Sequence, residues 1–255
     1  MSDRFRNVVV PTVFMIGSLV VLVFLGNWQV ERLSWKRELI ANAVERPQLP
    51  PVAAPGPETW SDFDFDHYDY RAVRLSGRYG EGEVHVYTVL SKPNGDFAGQ
   101  GFWIVSPFIT TDGWTVIVNR GFVPGDKKDL STRPGSGVGT GDIELVGLVR
   151  RVPVANNFTP DNNLETNEWY LRDPGQIGRH LGVPANKLAP YSIDLLADMT
   201  PPGGLPQAGE TRITFTNSHL QYAVTWYGLA LTLLGVYSAF MWSQWRARRK
   251  SADTK

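Results

Sequence analysis

The sequence predicts a membrane protein in which two transmembrane α-helices flank an extracytoplasmic, mainly antiparallel β domain, a barrel or sandwich with one short helix. No charged residue occurs in the 24 positions between Arg6 and Glu31 or in the 33 positions between Arg212 and Arg246. Each stretch exceeds the roughly 20 apolar residues that a helix needs to cross a bilayer. Between them lie short β-branched and aromatic runs, which predict the β domain.

The first transmembrane helix is predicted over residues 8–28, after a cytoplasmic tail of residues 1–7, and it is expected to continue as an outer helix to about residue 45. A cleaved signal peptide is the alternative, because Ala41-Asn42-Ala43 resembles a cleavage site. However, the apolar run is longer than the apolar region of a signal peptide, and charged residues separate it from these alanines. An uncleaved anchor is therefore the favoured interpretation.

A Pro-rich linker, residues 46–58, leads into a β-rich domain over residues 59–218. One short helix is predicted from Pro174 to Leu181, because Asp173 can cap it and Gly182 can end it. Turn-bounded strands favour an antiparallel barrel or sandwich over a parallel α/β sheet. The predicted strands are residues 70–79, 84–90, 101–109, 115–119, 143–149, 168–171, 191–196 and 212–216.

The second transmembrane helix is predicted over residues 219–245, followed by a basic cytoplasmic tail, residues 246–255. Because basic flanks stay in the cytoplasm, both termini are expected there and the β domain on the far side. Basic residues also follow the first helix, which alone would favour the opposite orientation, but the tail is the more basic of the two. Its basic residues next to the helix are Arg246, Arg248, Arg249 and Lys250.

Charge and composition exclude several classes of function. Residues 47–212 carry 20 acidic and 14 basic side chains, so this acidic middle offers no basic patch for nucleic-acid phosphates, and nucleic acid is not an expected partner. The chain has no cysteine, which excludes disulfides, thiolate catalysis and Cys-ligated zinc or copper. Residues 124–141 are rich in glycine but lack the spacing of a phosphate-binding motif, so they are interpreted as a mobile loop.

Alternating Asp and aromatic residues raise the possibility of an enzyme. On a strand, Asp62, Asp64 and Asp66 would share one face, where they could perform acid–base chemistry or bind a cation with His67. The favoured interpretation is a solvated strand face with the aromatic rings turned inward, because nothing nearby supplies a nucleophile or an oxyanion hole. A membrane-tethered hydrolase stays a minor alternative.

The first turns of the predicted second transmembrane helix carry a polar and aromatic face. His219, Tyr222, Ala223 and Trp226 recur at i, i+3, i+4 and i+7, the spacing of one helical face. This face is either an interfacial belt that needs no ligand or a pocket for a flat apolar macrocycle, since imidazole is a common ligand of haem iron. The residues alone leave both interpretations open.

The end of the first transmembrane helix is expected at the same level. Because both helices leave the membrane on one side, Trp28 and Gln29 should lie near His219. Glycines on the two helices allow their backbones to approach closely, which predicts a paired-helix pocket at the outer surface. These glycines are Gly17, Gly26, Gly228 and Gly235.

Three motifs occur in order along the chain: GNWQVERLSWK at residues 26–36, VNRGFVP at residues 118–124 and NSHLQYAVTW at residues 217–226. Together they resemble the surfeit-locus-one family of cytochrome c oxidase assembly factors. Phe122 stands where the family often has Trp, which should leave the local backbone unchanged. Asn119-Arg120-Gly121 is interpreted as a turn between strands and is given no function.

The resemblance implies a non-enzymatic protein of the bacterial inner membrane that helps to mature subunit I of a haem–copper cytochrome c oxidase. It implies haem a as the cofactor, His219 as the iron ligand, and Tyr222 and Trp226 as pocket residues. The expected partners are oxidase subunit I, the haem a delivery machinery and membrane lipid. The alternative is a membrane-anchored scaffold that stabilises an oxidase assembly intermediate without binding haem.

Two basic residues on the outer part of the first helix complete the predicted site. We hypothesise that Arg32 and Lys36 pair with haem propionates. Pairing with lipid phosphate is an equally good interpretation of both.

Overall fold

The computed structural model describes residues 3–211 and 218–252, which fall into two compact units. A helical unit lies within residues 1–41 and 214–255, and a β unit lies within residues 42–213. Each unit has its own packing.

Two long helices form the helical unit: α1 is Asp3–Glu45 and α4 is His219–Ala252. By length and composition, both are able to cross a membrane, over Val8–Gln48 and His219–Ala247. Their large apolar side chains point outward, as lipid contact requires: Phe14 is 78% exposed and Leu231 is 70% exposed.

Small and polar residues form the seam between the two helices. On α1, Gly26 and Gln29 are buried three residues apart, on one face of the helix. A Cβ atom at Gly26 would lie 2.7 Å from Cε1 of Tyr227, so this glycine permits the close approach. The prediction for the other three glycines is wrong, because a Cβ at Gly17, Gly228 or Gly235 would have no atom within 4 Å.

Five strands of the β unit close into a barrel in the cyclic order β2, β6, β8, β5, β4 and back to β2. A barrel was one of the two predicted architectures. It is mixed, because β5 and β8 run parallel whereas its other neighbours run antiparallel. The strands are β1 Val52–Ala53, β2 Ala72–Tyr79, β3 Val84–Leu90, β4 Gly99–Thr110, β5 Thr115–Pro124, β6 Ile143–Arg150, β7 Glu168–Trp169 and β8 Leu188–Leu195.

Gly77 lets the barrel close. It pairs with Ile143 of β6 and with Thr110 of β4, so β2 changes partner at this residue. A Cβ atom at Gly77 would lie 2.1 Å from the carbonyl oxygen of Ile109, which only glycine avoids. The barrel interior is filled by apolar side chains that include Phe108, Val118 and Tyr191.

Two short helices accompany the barrel, α2 at Phe65–Tyr68 and α3 at Pro174–His180. Helix α3 is the predicted one, and the side chain of Asp173 accepts from the backbone N–H groups of Gly175 and Gln176, as expected of a cap. The predicted strand over 212–216 lies outside the described residues.

The strand interpretation of the Asp-rich run is wrong. Pro57–Asp62 forms a 3₁₀ helix, and Asp64 then caps α2 by accepting from the backbone N–H groups of Asp66 and His67. Asp side chains favour such caps over strand interiors. Phe63, Phe65 and Tyr68 nevertheless pack against the barrel core, so the expected inward direction of the aromatic rings is confirmed.

The Pro-rich segment after α1 is attached to the barrel. Strand β1 pairs in parallel with β2, and the Tyr191 hydroxyl donates to the Pro55 carbonyl oxygen at 2.6 Å. Burial raises the pKa of Tyr191, so the hydroxyl stays protonated and able to donate. The segment is therefore part of the β unit's packing rather than a free linker.

The glycine-rich segment between β5 and β6 also packs on the barrel. It contains two 3₁₀ turns, Gly125–Lys127 and Leu130–Thr132, and the side chains of Arg133 and Ser136 are buried. The hydroxyl of Ser136 donates to the carbonyl oxygen of Leu205. Buried polar anchors of this kind contradict a wholly free loop.

Candidate functional site

A hydrogen bond joins two of the predicted site residues at the beginning of α4. His219 Nδ1 lies 2.7 Å from Gln29 Oε1 of α1, and Gln29 is only 8% exposed. The expectation that Gln29 lies beside His219 is therefore met within the helical unit.

This contact selects one form of the imidazole ring. An amide oxygen only accepts hydrogen bonds, so Nδ1 of His219 must carry the proton. In the neutral ring, Nε2 then carries the lone pair, which is the arrangement that metal-binding histidines commonly adopt. The buried amide of Gln29 orients the ring in the way that such ligands require.

The remaining residues of the predicted α4 face differ in exposure. Ala223 is buried, at 3% exposure, on the side of α4 that carries His219 and Tyr227. Trp226 is half-buried and Tyr222 is 53% exposed. Small Ala223 thus serves helix packing, whereas the two aromatic rings border the seam on its accessible side.

Trp28 and Arg32 are exposed residues of α1. Successive residues of an α-helix point about 100° apart, so the burial of Gln29 turns Trp28 outward, where it is 44% exposed. The guanidinium of Arg32 stacks over the ring of Trp35 at 4.7 Å. The prediction that Trp28 lies near His219 stays a prediction, while Lys36 lies two turns from Gln29 on the same face.

A second polar contact between the helices was missed from the sequence. The Tyr227 hydroxyl donates to Asn27 Oδ1 at 2.6 Å. It lies beside the close approach at Gly26, so one turn of α1 provides a backbone contact and two hydrogen bonds to α4. The sequence offered one signal for this contact: a polar residue, Asn27, near the end of the first apolar stretch and a tyrosine two turns after His219 in the second.

The β unit contains a buried carboxylate between two arginines. Asp194 Oδ1 accepts from Arg172 Nη1 at 2.7 Å and from Asn119 Nδ2 at 3.1 Å, and Arg150 Nε lies 3.7 Å from Oδ2. Burial alone would raise the pKa of Asp194, but Arg172 and Arg150 outweigh it and lower that pKa. Asn119 therefore belongs to a strand that holds an ionic cluster, and the turn interpretation of Asn119-Arg120-Gly121 is wrong.

A second ionic cluster surrounds Glu83. This carboxylate pairs with the guanidinium groups of Arg133 and Arg120, and its Oε1 lies 3.0 Å from His85 Nε2. Burial alone would raise the pKa of Glu83, but His85 and Arg133 outweigh it and lower that pKa. Neither cluster was predicted, because most of its members are far apart in sequence.

The Asp-rich run is used for structure. Besides the cap formed by Asp64, Asp66 pairs with Arg151 and Asp69 pairs with Arg150. Within residues 3–211 and 218–252, no group of three His, Cys, Asp or Glu residues is arranged to hold a metal ion. This geometry gives the hydrolase hypothesis no support.

Comparisons with known proteins agree with the motifs. A sequence model of the SURF1 family matches residues 16–231. Surfeit locus protein 1 of Homo sapiens is 37% identical over 218 residues, which cover 81% of this chain and 69% of that protein. The Rattus norvegicus protein of the same name is 34% identical over 236 residues, covering 88% and 72%. A SURF1-like protein of Drosophila melanogaster is 32% identical over 231 residues, covering 86% and 71%. Gln29 and His219 both lie inside the range that the family model matches.

Proposed function

The chain belongs to the SURF1 family of cytochrome c oxidase assembly factors, and we propose that it serves oxidase assembly by binding haem a through His219 and assisting its insertion into subunit I. The observation that carries the proposal is the hydrogen bond between His219 Nδ1 and Gln29 Oε1 at 2.7 Å. It prepares an imidazole nitrogen for a metal at the end of an apolar helix pair.

The residues around His219 fit a flat, largely apolar cofactor. Half-buried Trp226 and exposed Tyr222 offer aromatic surface on the same helix. When bound, haem a would supply a redox-active iron and two propionates. His219 would hold the iron, and Gln29 would fix the proton on the other ring nitrogen.

The cationic part of the proposed site is on α1. Lys36 shares the helix face of Gln29 and could approach a propionate. Arg32 would have to give up its stacking on Trp35, so its role toward haem is the weaker part of the proposal, and lipid phosphate is an equally suitable partner.

The proposed setting is the bacterial inner membrane. Helices α1 and α4 would cross the bilayer as a hairpin, with both termini in the cytoplasm and the β unit in the periplasm. The apolar surfaces of both helices support the crossing, and the basic residues in the last turns of α4 support this orientation.

Spectra of purified protein test the haem proposal. The full chain is purified in detergent from cells that make haem a, and bound haem is measured per protein. We expect His219→Ala to lose most of the haem, while His67→Ala, which removes an exposed histidine of the β unit, keeps it. Equal haem content in wild type and His219→Ala would reject the ligand assignment.

Oxidase activity separates this proposal from the alternative. If the protein is a scaffold that stabilises an assembly intermediate without haem, the His219→Ala variant should restore full oxidase activity to cells that lack the wild-type protein. A haem-binding factor would not.

A further inference from the structure

A cleft of about 610 Å³ opens on the β unit beside the Glu83 cluster. One wall comes from the end of β2 and the turn into β3, and the other from the glycine-rich segment at Gly137–Thr140. Its volume is typical of sites for small organic ligands, which occupy clefts of about 300–1,000 Å³. The lining is mixed, since Ile109, Leu130 and Val138 stand beside charged groups.

The charges of the Glu83 cluster beside the cleft do not balance; Glu83 and Arg120 line the cleft, whereas Arg133 does not. Arg120 and Arg133 are 6% and 2% exposed, and both pair with the single carboxylate of Glu83. At the rim, exposed Arg78 and Glu81 carry opposite charges. The buried part therefore has two guanidinium groups for one carboxylate, and an uncompensated buried charge is costly.

Unpaired donors accompany this excess charge. Nε and Nη1 of Arg133 are buried and have no hydrogen-bond partner among the described residues, whereas Nη2 donates to Glu83 and to the carbonyl oxygen of Lys128. A buried donor without a partner is costly, more so when it is charged. These N–H groups belong to a residue outside the cleft lining, so the excess positive charge of the cluster is what favours an anion in the cleft.

Arg120 is held in place to meet such an anion. Its guanidinium stacks over the ring of Tyr79 at 5.1 Å and donates to the carbonyl oxygen of Ser136. The same Arg120 also lines a second cavity of about 150 Å³, whose other walls include Ile143, Leu145 and Met199. A charged cleft and an apolar cavity thus meet at one arginine.

We propose that this cleft binds an amphiphile that carries a single oxyanion head group, a carboxylate or a phosphate. The head group is recognised by Arg120, whose planar fork suits both anions, and it offsets the excess charge of the Glu83 cluster. The apolar body lies along Ile109, Leu130 and Val138. The site is independent of His219 and of haem.

Titration of the detergent-purified full chain tests this site. The probes are octyl phosphate, octanoate, inorganic phosphate and uncharged 1-octanol, with binding measured by calorimetry. We expect saturable binding of octyl phosphate or octanoate, and at least tenfold weaker binding of inorganic phosphate and octanol. Whichever of octyl phosphate and octanoate binds more tightly identifies the head group as a phosphate or a carboxylate. Equal affinity for inorganic phosphate and octyl phosphate would overturn the amphiphile assignment.

Variants connect the binding to the cleft. Arg120→Gln should weaken binding of the preferred probe at least tenfold, whereas Arg74→Gln, which removes an exposed arginine paired with Glu144, should leave it unchanged. Because Arg120 is buried, the fold of its variant is checked by circular dichroism. Val138→Trp, at a 39% exposed position of the cleft wall, provides a second test that keeps the charges intact. Wild-type affinity in folded Arg120→Gln, or in Val138→Trp, would overturn the site.

Discussion

At the scale of single residues, a hydrogen-bond partner decides what His219 and Asp194 can do. Gln29 determines which nitrogen of His219 carries the proton. Arg172 and Arg150 keep Asp194 ionised although it is only 2% exposed. In both cases the partner lies on another element, so the property arises only in the folded chain.

Gln29→Leu tests the positioning of His219. The variant keeps the side chain's approximate size but removes the acceptor for Nδ1–H. We expect haem content to fall about 10- to 100-fold, the usual effect of removing a group that orients a metal ligand, with a shifted haem absorption band in the remaining fraction. Gln221→Leu, an exposed position on α4, is the control. A spectrum and haem content identical to wild type would contradict the role of Gln29.

Asp194→Asn tests the buried cluster of the β unit. The variant leaves Arg150 and Arg172 without their shared carboxylate, so we expect a loss of about 3–5 kcal/mol in the free energy of unfolding at pH 7. Denaturant unfolding followed by tryptophan fluorescence measures it. Asp112→Asn, in an exposed turn, should change little.

The pH dependence of stability provides a separate check. The pKa of Asp194 is lower in the folded than in the unfolded state, so its contribution is complete above the unfolded value of about 4 and is lost as pH falls through the folded value. Wild type should therefore lose more stability below about pH 4 than Asp194→Asn does. Parallel acid profiles of the two proteins would show that Asp194 is not the responsible group.

At the scale of elements, some strands follow from local sequence and others do not. The run at 84–90 matches β3 because five of its seven residues, three Val among them, are good strand formers. Strand β5 continues beyond Asn119 although Asn, Arg and Gly are poor strand formers. Tertiary contacts explain it: Asn119 bonds Asp194, and a Cβ at Gly121 would lie 2.3 Å from the carbonyl oxygen of Gln207. The local sequence around Asn119 and Gly121 does not indicate that Asp194 and Gln207 lie next to them in the fold.

For the candidate site, the sequence predicts the level of its residues along the helices but not the direction in which each residue of α1 points. The level of Gln29 and His219 along their helices follows from where each apolar stretch ends. The rotation of α1 does not, because aromatic and polar residues surround it at that level, so the sequence did not show that Gln29 is buried and Trp28 is 44% exposed. The seam residue Gly26 decides the rotation through its contact with Tyr227.

A matched pair of glycine variants tests the seam between α1 and α4. In Gly26→Ala the new Cβ would meet the Tyr227 ring at 2.7 Å, so we expect a cost of about 1–3 kcal/mol and a lower midpoint of thermal unfolding. Gly228→Ala places its Cβ in open space and should be neutral or slightly stabilising, since alanine is the better helix former. Equal midpoints for the two variants would contradict the packing of this seam.

At the scale of the whole molecule, the chain consists of an apolar helical unit and an acidic β unit. This division is what the proposed orientation in the membrane depends on.

Labelling of introduced cysteines tests that orientation. Because the chain contains no cysteine, a single introduced cysteine is the only thiol that can react. In intact cells with a permeable outer membrane, a membrane-impermeant maleimide should label Asp112→Cys in the β unit and spare Ala247→Cys near the end of α4. Labelling with the reverse pattern would show that the proposed orientation is wrong.

The length of α1 has a mechanical consequence. At about 1.5 Å per residue, its 43 residues extend for about 65 Å, roughly twice the thickness of the hydrocarbon layer. A helix adjusts its tilt to the thickness of the surrounding bilayer. For a rod of this length, a change of about 10° would carry its far tip through about 11 Å. Because this displacement runs mainly parallel to the membrane plane, bilayer thickness would set the lateral position of the outer end of α1 rather than its height above the lipid.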